Sequence, residues 1–254
     1  HHWARQGPHS VASNVDFYRQ LCEAACREAP DLILLPEICL QWQIPDNALE
    51  SALTLDSPEV GIFRQIAREA GLYLGLGLNE RDGDAVFNTL ALLDPNGEVA
   101  GTYHKVHLAV LNESDCGILP GDTFPVVQTP LGRMGFNICM DPSAAESSRM
   151  VGLNGADFLL MPIMGDHRAD RWSPGRPYYH VERWKAIMRT HAMDNQLCMV
   201  VARNEAHGSC VIDRKGDILA WNEGTADYIV ATVNLDDGYK TWNGGCFREI
   251  NWVQ

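Results

Sequence analysis

Apolar residues along the chain switch repeatedly between helical and strand spacing. From Val15 to Arg27 they recur with the period of a helix, and Asp31 to Pro36 then forms a short apolar run of strand length. Asp56, Ser57, Pro58 and Glu59 combine a capping side chain, a proline suited to the first helical position and an acid for the first turn. Val60, Phe63, Ile66, Ala67 and Ala70 make one apolar face after that start, and Gly71 ends it. Leu72 to Leu78 is predicted as a strand. Asn88 to Leu93 and Val99 to Tyr103 flank Asp94, Pro95, Asn96 and Gly97, which is a hairpin signal.

The second half repeats this order. Gly132 to Ile138 is a predicted strand, and Ser147 to Asn154 a helix. Ala156 to Pro162 echoes Pro30 to Pro36. Val181, Trp184, Ile187, Met188 and His191 mark another amphipathic helix, followed by a strand over Leu197 to Ala202. Ser209 to Ile212 and Asp217 to Trp221 flank Asp213 to Gly216 as a second hairpin, and Tyr228 to Val233 is a further predicted strand. Two related helix–strand halves each have one apolar sheet face to bury. Packing sheet on sheet buries both and leaves helices outside. The expected fold is therefore α/β, a four-layer α-β-β-α sandwich of two pseudo-symmetric halves in a single domain over 1–254. A single doubly wound sheet is the rival, and the hairpins count against a purely parallel version of it.

Composition narrows the function. A chain of 254 residues, 46% hydrophobic and 21% charged, is ordinary for a globular protein with a sizeable core. The net charge of -13 argues against binding a phosphate backbone, which needs Lys and Arg, so no nucleic-acid partner is expected. No apolar run is long enough to span a bilayer, so no membrane partner is expected either. Eight cysteines, none in a CxxC pair and several inside apolar runs, suit reduced buried thiols and a cytoplasmic location.

Three predicted strands end in reactive side chains. Asp31 to Pro36 delivers Glu37, Val99 to Tyr103 delivers Lys105, and Gly132 to Ile138 delivers Cys139. Strand ends are where open α/β folds build sites. A cysteine at a strand-to-helix turn sits near backbone dipoles that favour thiolate, a carboxylate can take its proton, and a lysine can hold an oxyanion. Singly, each residue has a bland reading: a core cysteine, a loop acid, an exposed lysine. His104 and His107 are two ligands of an incomplete metal site, so neither metal nor cofactor is expected.

Taken together and in order, these segments resemble the carbon–nitrogen hydrolase, or nitrilase, superfamily. Leu34, Leu35, Pro36 and Glu37 resemble its glutamate motif. Asn88 and Thr89, then Asp94 to Val99 leading into Tyr103, His104, Lys105, Val106 and His107, resemble its lysine motif. Gly135 to Asp141, with Glu146 and then Gly155 to Asp157, resembles its cysteine motif. The resemblance implies Cys139 as nucleophile, Glu37 as general base, and Lys105 with the backbone N–H of Met140 as oxyanion holders. It also implies that Glu113, matching a second family glutamate, positions Lys105 or substrate. Implied too are a small-molecule amide or carbamoyl substrate and a homodimer or higher homo-oligomer. Met140 and Asp141 after the cysteine favour an amidase over a nitrilase, and Ser143 replaces an arginine that some carbamoyl-amino-acid hydrolases use on a carboxylate. A nitrilase, and a catalytically silent binding or assembly subunit, are the alternatives. Trp42, Arg168 and Trp172 are candidate substrate contacts; the loop over 165–180 reads equally well as a subunit contact or plain surface. The family also begins with a strand ahead of the first helix, so the chain is expected to lack that strand and to be a piece of a longer protein.

Overall fold

The computed structural model describes residues 9–44, 47–110, 113–164, 180–204 and 207–236. Helix α1 (Val11–Ala25) opens on a reciprocal cap: the Ser10 hydroxyl accepts from the Ser13 N–H, and the Ser13 hydroxyl from the Ser10 N–H. It turns Val15, Tyr18 and Cys22 inward. Helix α2 (Pro58–Ala70) starts at the predicted proline and stops at Gly71, whose φ of 66° is the left-handed geometry that glycine adopts without strain. Ser57 holds the cap position, but its hydroxyl makes no cap hydrogen bond, so Pro58 and Glu59 carry the start.

The first sheet runs in the order β1 (Leu32–Leu34), β2 (Tyr73–Asp82), β3 (Ala85–Leu93), β4 (Val99–His104), with β1 parallel to β2 and the rest antiparallel. The second contains β5 (Val126–Thr129), β6 (Gly132–Phe136), β7 (Phe158–Ile163), β8 (Cys198–Arg203), β9 (His207–Ile212) and β10 (Ile218–Glu223), in the order β10-β9-β8-β7-β6-β5. In it β6, β7 and β8 are parallel. Helices α3 (Ala145–Leu153) and α4 (Val181–Asn195) belong to this half.

Side-chain alternation along β3 shows how the layers stack. Leu90 and Leu92 join Tyr103, Met134, Phe136 and Leu160 in one core that also takes in Trp184 and Met188 of α4. Ala91 and Leu93 point the other way, into a second core with Leu74, Leu76, Leu78 and the apolar faces of α1 and α2. Sheet therefore packs on sheet with helices outside, the expected four layers.

The two halves match in detail. The Asp31 carbonyl accepts from the Tyr73 N–H, and the Asp157 carbonyl from the Cys198 N–H. Asp94 closes the first hairpin by accepting from the N–H groups of Asn96 and Glu98, and Asp213 closes the second from those of Lys215 and Asp217. Each turn is then gripped from the preceding long helix. Arg64 Nε donates to the Gly97 carbonyl at 2.7 Å, and Arg189 Nε to the Gly216 carbonyl at 2.6 Å.

Three expectations need correction. The β2–β3 hairpin runs to Asp82 and restarts at Ala85, well past the predicted ends. Strand β5 pairs with β6 and had no apolar pattern to announce it. Tyr228 to Val233 keeps its alternation, with Ala231 and Val233 half-buried and Val230 and Thr232 exposed, but forms no ladder. In the second sheet β6 lies beside β7; no described strand takes the corresponding place beside β1. Tyr228 to Val233 instead lines, with β1 and α1, a cavity of about 430 Å³. Alternation decides which side chains turn inward, but a strand also needs a partner edge.

Gly77 on β2 lies under the chain that leaves β1. A Cβ there would run into the Pro36 carbonyl oxygen and lie 3.0 Å from the Glu37 Cα. Gly77→Ala should therefore destabilise the fold by about 1–3 kcal/mol through overpacking, read as a lower urea midpoint. Gly61, inside α2 with nothing within 4 Å of an added Cβ, is the contrast. Gly61→Ala should raise the midpoint by the equivalent of about 0.5–1 kcal/mol.

Candidate active site

Glu37, Lys105 and Cys139 each follow the C-terminal end of a strand, and three sets of local bonds fix where they emerge. After β1, the Leu35 N–H still pairs with the Gly75 carbonyl at 2.8 Å. Glu37 comes next, then Ile38 at φ 40°, a left-handed conformation that is an outlier for a β-branched residue. The following turn, Cys39–Gln41, is held down from α1: Asn14 Nδ2 donates to the carbonyls of Leu40 and Trp42 at 3.1 and 2.9 Å. Asn204, at the end of β8, donates to the Glu37 carbonyl at 2.6 Å and accepts from the Tyr18 hydroxyl at 3.1 Å.

Lys105 follows β4, and its N–H donates to the Asn88 carbonyl on β3 at 2.9 Å. Cys139 follows β6. The Asn137 and Cys139 N–H groups donate to the Leu160 and Pro162 carbonyls, which continues the β6–β7 alignment past the formal strand end. Cys139 itself sits at φ 45°. Non-glycine residues in this region cost on the order of 1–3 kcal/mol each and persist where surrounding bonds over-determine them.

At the centre lies a buried Lys105 ammonium, 1% exposed. Its Nζ donates to Glu37 Oε1 and to Glu113 Oε2, both at 2.8 Å. Asn88 Nδ2 donates to Glu37 Oε1 at 2.8 Å and to Glu113 Oε1 at 2.6 Å. Backbone N–H groups complete the set: Met164, just past β7, donates to Glu37 Oε2, and Ala109 to Glu113 Oε2. Every one of these partners is a donor, the pattern that two ionised carboxylates require. Burial works against the Lys105 charge, but Glu37, Cys139 and Glu113 outweigh it and hold the lysine above its ordinary range.

A third buried carboxylate ties the lysine segment to the cysteine segment. Asp141 Oδ2 accepts from the Tyr103 hydroxyl and the Ile138 N–H, each at 2.7 Å. Its Oδ1 accepts from the His107 N–H at 2.8 Å. Tyr103 and His107 bracket Lys105, whereas Ile138 and Asp141 bracket Cys139. Burial pushes the Asp141 carboxyl up, and these donors partly offset it.

The structure thus brings together Glu37, Lys105, Glu113 and Cys139. Met140 is half-buried beside Cys139, and no described residue accepts from its N–H. Trp42 is buried on the turn after Glu37, its carbonyl held by α1. Arg168 and Trp172 lie outside the described residues. Asn88, Asp141, Asn204 and the Met164 N–H had no assigned role in the sequence reading. Asn88 had two visible signals, its place beside Thr89 in the lysine motif and a buried amide among the largely apolar residues of β3. His104 bonds Glu80 at 3.1 Å and stacks on Phe87, and His107 bonds Asp141; among the described residues no group of three ligands suits a metal. No cysteine among the described residues is in a disulfide, and burial pushes Cys198 up to about 11 and Cys210 up to about 12. Among the described residues no helix is long and apolar enough to cross a membrane.

Several known proteins are similar to this chain. A citrullinase of Francisella tularensis is 29% identical over 81% of this chain and 78% of its own length. An omega-amidase NIT2 of Xenopus tropicalis is 26% identical over 84% of this chain and 75% of its own. A carbon–nitrogen hydrolase from Helicobacter pylori superposes with a TM-score of 0.76 at 21% identity, covering 89% of this chain and 86% of that one, and so has the same fold. The family model for carbon–nitrogen hydrolase matches residues 4–242, and the chain belongs to that family.

Proposed function

We propose that the chain hydrolyses a non-peptide C–N bond in a small amide or carbamoyl compound through a thioester on Cys139. The observation that carries this reading is the meeting of three strand ends at one buried ion cluster, with the cysteine held in a strained backbone conformation beside it. Glu37 takes the Cys139 proton as the sulfur bonds the carbonyl carbon. The oxygen gains negative charge, and Lys105 and the Met140 N–H stabilise it. The C–N bond breaks, and Glu37 returns the proton to the leaving amine or ammonia. Water then attacks the thioester, gives a proton to Glu37, and the acid leaves as Cys139 recovers its proton.

The amide and carbamoyl class is supported by Met140 and Asp141 after the nucleophile, and by relatives named for citrulline and for omega-amides. Glu113 accepts from Lys105 and from the lysine's own loop, so it acts as an anchor for the ammonium. Trp42, on the turn that follows Glu37, is the proposed wall for the substrate chain.

Incubation with a panel of small amides, carbamoyl compounds and nitriles, followed by intact and peptide mass spectrometry, should trap an acyl group on Cys139. An adduct on another thiol, or none from any amide or carbamoyl compound, would overturn the proposal. Cys139→Ala should lower kcat by roughly 10⁶-fold while leaving the thermal unfolding transition in place. Lys105→Met should reduce kcat by about 10²–10³-fold or more, the size of a lost oxyanion donor, and should also destabilise the fold by leaving Glu37 and Glu113 without their cation.

A further inference from the structure

One ammonium serves two carboxylates in this site, so the cluster carries surplus negative charge before the cysteine ionises at all. A thiolate adds to that surplus. The second donor shared by both carboxylates is neutral: Asn88 Nδ2 reaches Glu37 Oε1 at 2.8 Å and Glu113 Oε1 at 2.6 Å. An amide nitrogen has two protons, and here each has a carboxylate. The Asn88 carbonyl also accepts from the Lys105 N–H at 2.9 Å. One side chain and its own backbone therefore touch Glu37, Glu113 and Lys105. Asn88 is 1% exposed and sits inside β3, paired with Asn79 on β2 and adjoining β4.

We propose that Asn88 is a positioning residue of the hydrolase site, whose amide clamps Glu37 against Glu113 so that Glu37 is held ready to take the Cys139 proton. This rests on Cys139 being the nucleophile and Glu37 its base. A buried amide is unfavourable for folding unless paired; here Nδ2 pairs with the two carboxylates, while Oδ1 is buried with no hydrogen-bond partner among the described residues, so the side chain is placed by its donors alone. Its neutrality matters as much as its donors. Aspartate has the same shape but has no N–H and adds a third negative charge beside Glu37, Glu113, Lys105 and Cys139.

The test reads Cys139 directly and needs no substrate. Iodoacetamide labelling of Cys139 is followed by mass spectrometry in wild type, Asn88→Ala, Asn88→Asp and Asn88→Asp with Glu113→Gln, from the carboxylate range to neutrality. Circular dichroism melts show which variants fold. At neutral pH Asn88→Asp should label roughly ten-fold more slowly than wild type, or slower still. That gap should close as pH falls, because the introduced carboxyl takes up a proton and donates again. Asn88→Ala should stay slow at every pH. Adding Glu113→Gln to Asn88→Asp should recover part of the neutral rate, because it removes one of the crowded charges.

Labelling of Asn88→Asp at the wild-type rate throughout would overturn the proposal. So would a deficit of constant size at every pH that Glu113→Gln does not relieve, since mere packing behaves that way. If Asn88→Asp alone does not fold, Asn88→Ala decides: wild-type labelling there overturns the clamp. Failure of wild type to turn over any amide would sink the reaction assigned above and leave these rates readable. Intact turnover with unchanged labelling would sink the role of Asn88 alone.

Discussion

The Lys105 ammonium is the charge around which the described site is organised. Removing an ammonium from water costs several kcal/mol even after relaxation, and attraction to a partner offsets that only with good geometry and satisfied bonds. Lys105 has both. Two carboxylates lie at 2.8 Å, and those carboxylates are in turn bonded by Asn88 and by backbone N–H groups from two other segments. Losing the ammonium or either carboxylate leaves a buried charge short of a partner, a change that typically destabilises by about 3–5 kcal/mol. The arrangement is thus better understood as a device for holding geometry than as a source of stability. The same carboxylates that keep the lysine charged fix the position of its ammonium, where the proposed reaction would place a negative oxygen.

The doubled architecture explains how so much is brought to one place. Each half sends a parallel strand toward the same end of the sandwich, β1 ending before Glu37 and β7 before Met164. The Met164 N–H then reaches across to Glu37 Oε2 at 2.7 Å. Asn204 performs a similar crossing from β8 to the Glu37 carbonyl. Cys139 and Glu37, the proposed nucleophile and base, come from different halves, so their spacing depends on the packing of sheet on sheet. Gly75 and Gly77 contribute by leaving β2 without side chains where the β1 segment crosses. The positive φ angles at Ile38 and Cys139 belong to the same account: both strained residues lie within one position of a proposed reacting group, and each is flanked by backbone bonds that leave little freedom.

Much of this was legible in the residue order, for a definite reason. Helix periodicity, the two Asp-initiated hairpins and the repeat of Asp31 to Pro36 in the run before Pro162 are local patterns, and they led to the doubled sandwich. Glu37, Lys105 and Cys139 stood out because each follows an apolar strand with recognisable flanks. What escaped was long-range. Nothing in Val126 to Thr129 announces that β6 will accept it as a neighbour. Nothing in Tyr228 to Val233 says that its alternation will meet a cavity rather than a strand. Asp141 looked like a motif letter; only the folded chain shows it joining Tyr103 and His107 to Ile138. A polar residue in sequence has no direction, and its partner is known only when the sheets close.

The choice of one cysteine among eight shows what the fold adds to composition. Cys22, Cys39, Cys198 and Cys210 are as buried as Cys139 or more so, and burial pushes each of them toward the neutral thiol. Burial alone therefore makes a cysteine inert. Cys139 differs in three respects that act together. Its backbone is turned into the left-handed region, away from the path of the strand. It lies close enough to Lys105 to contribute to that ammonium's raised pKa. And its segment is bound through Asp141 to the lysine segment, so the cation and the sulfur cannot drift apart independently. The cation favours sulfur anion, the paired glutamates oppose it, and a neutral amide keeps that opposition from growing. On this balance the proposed reaction would draw the proton from the thiol only when a proton acceptor and an electrophile are both in place.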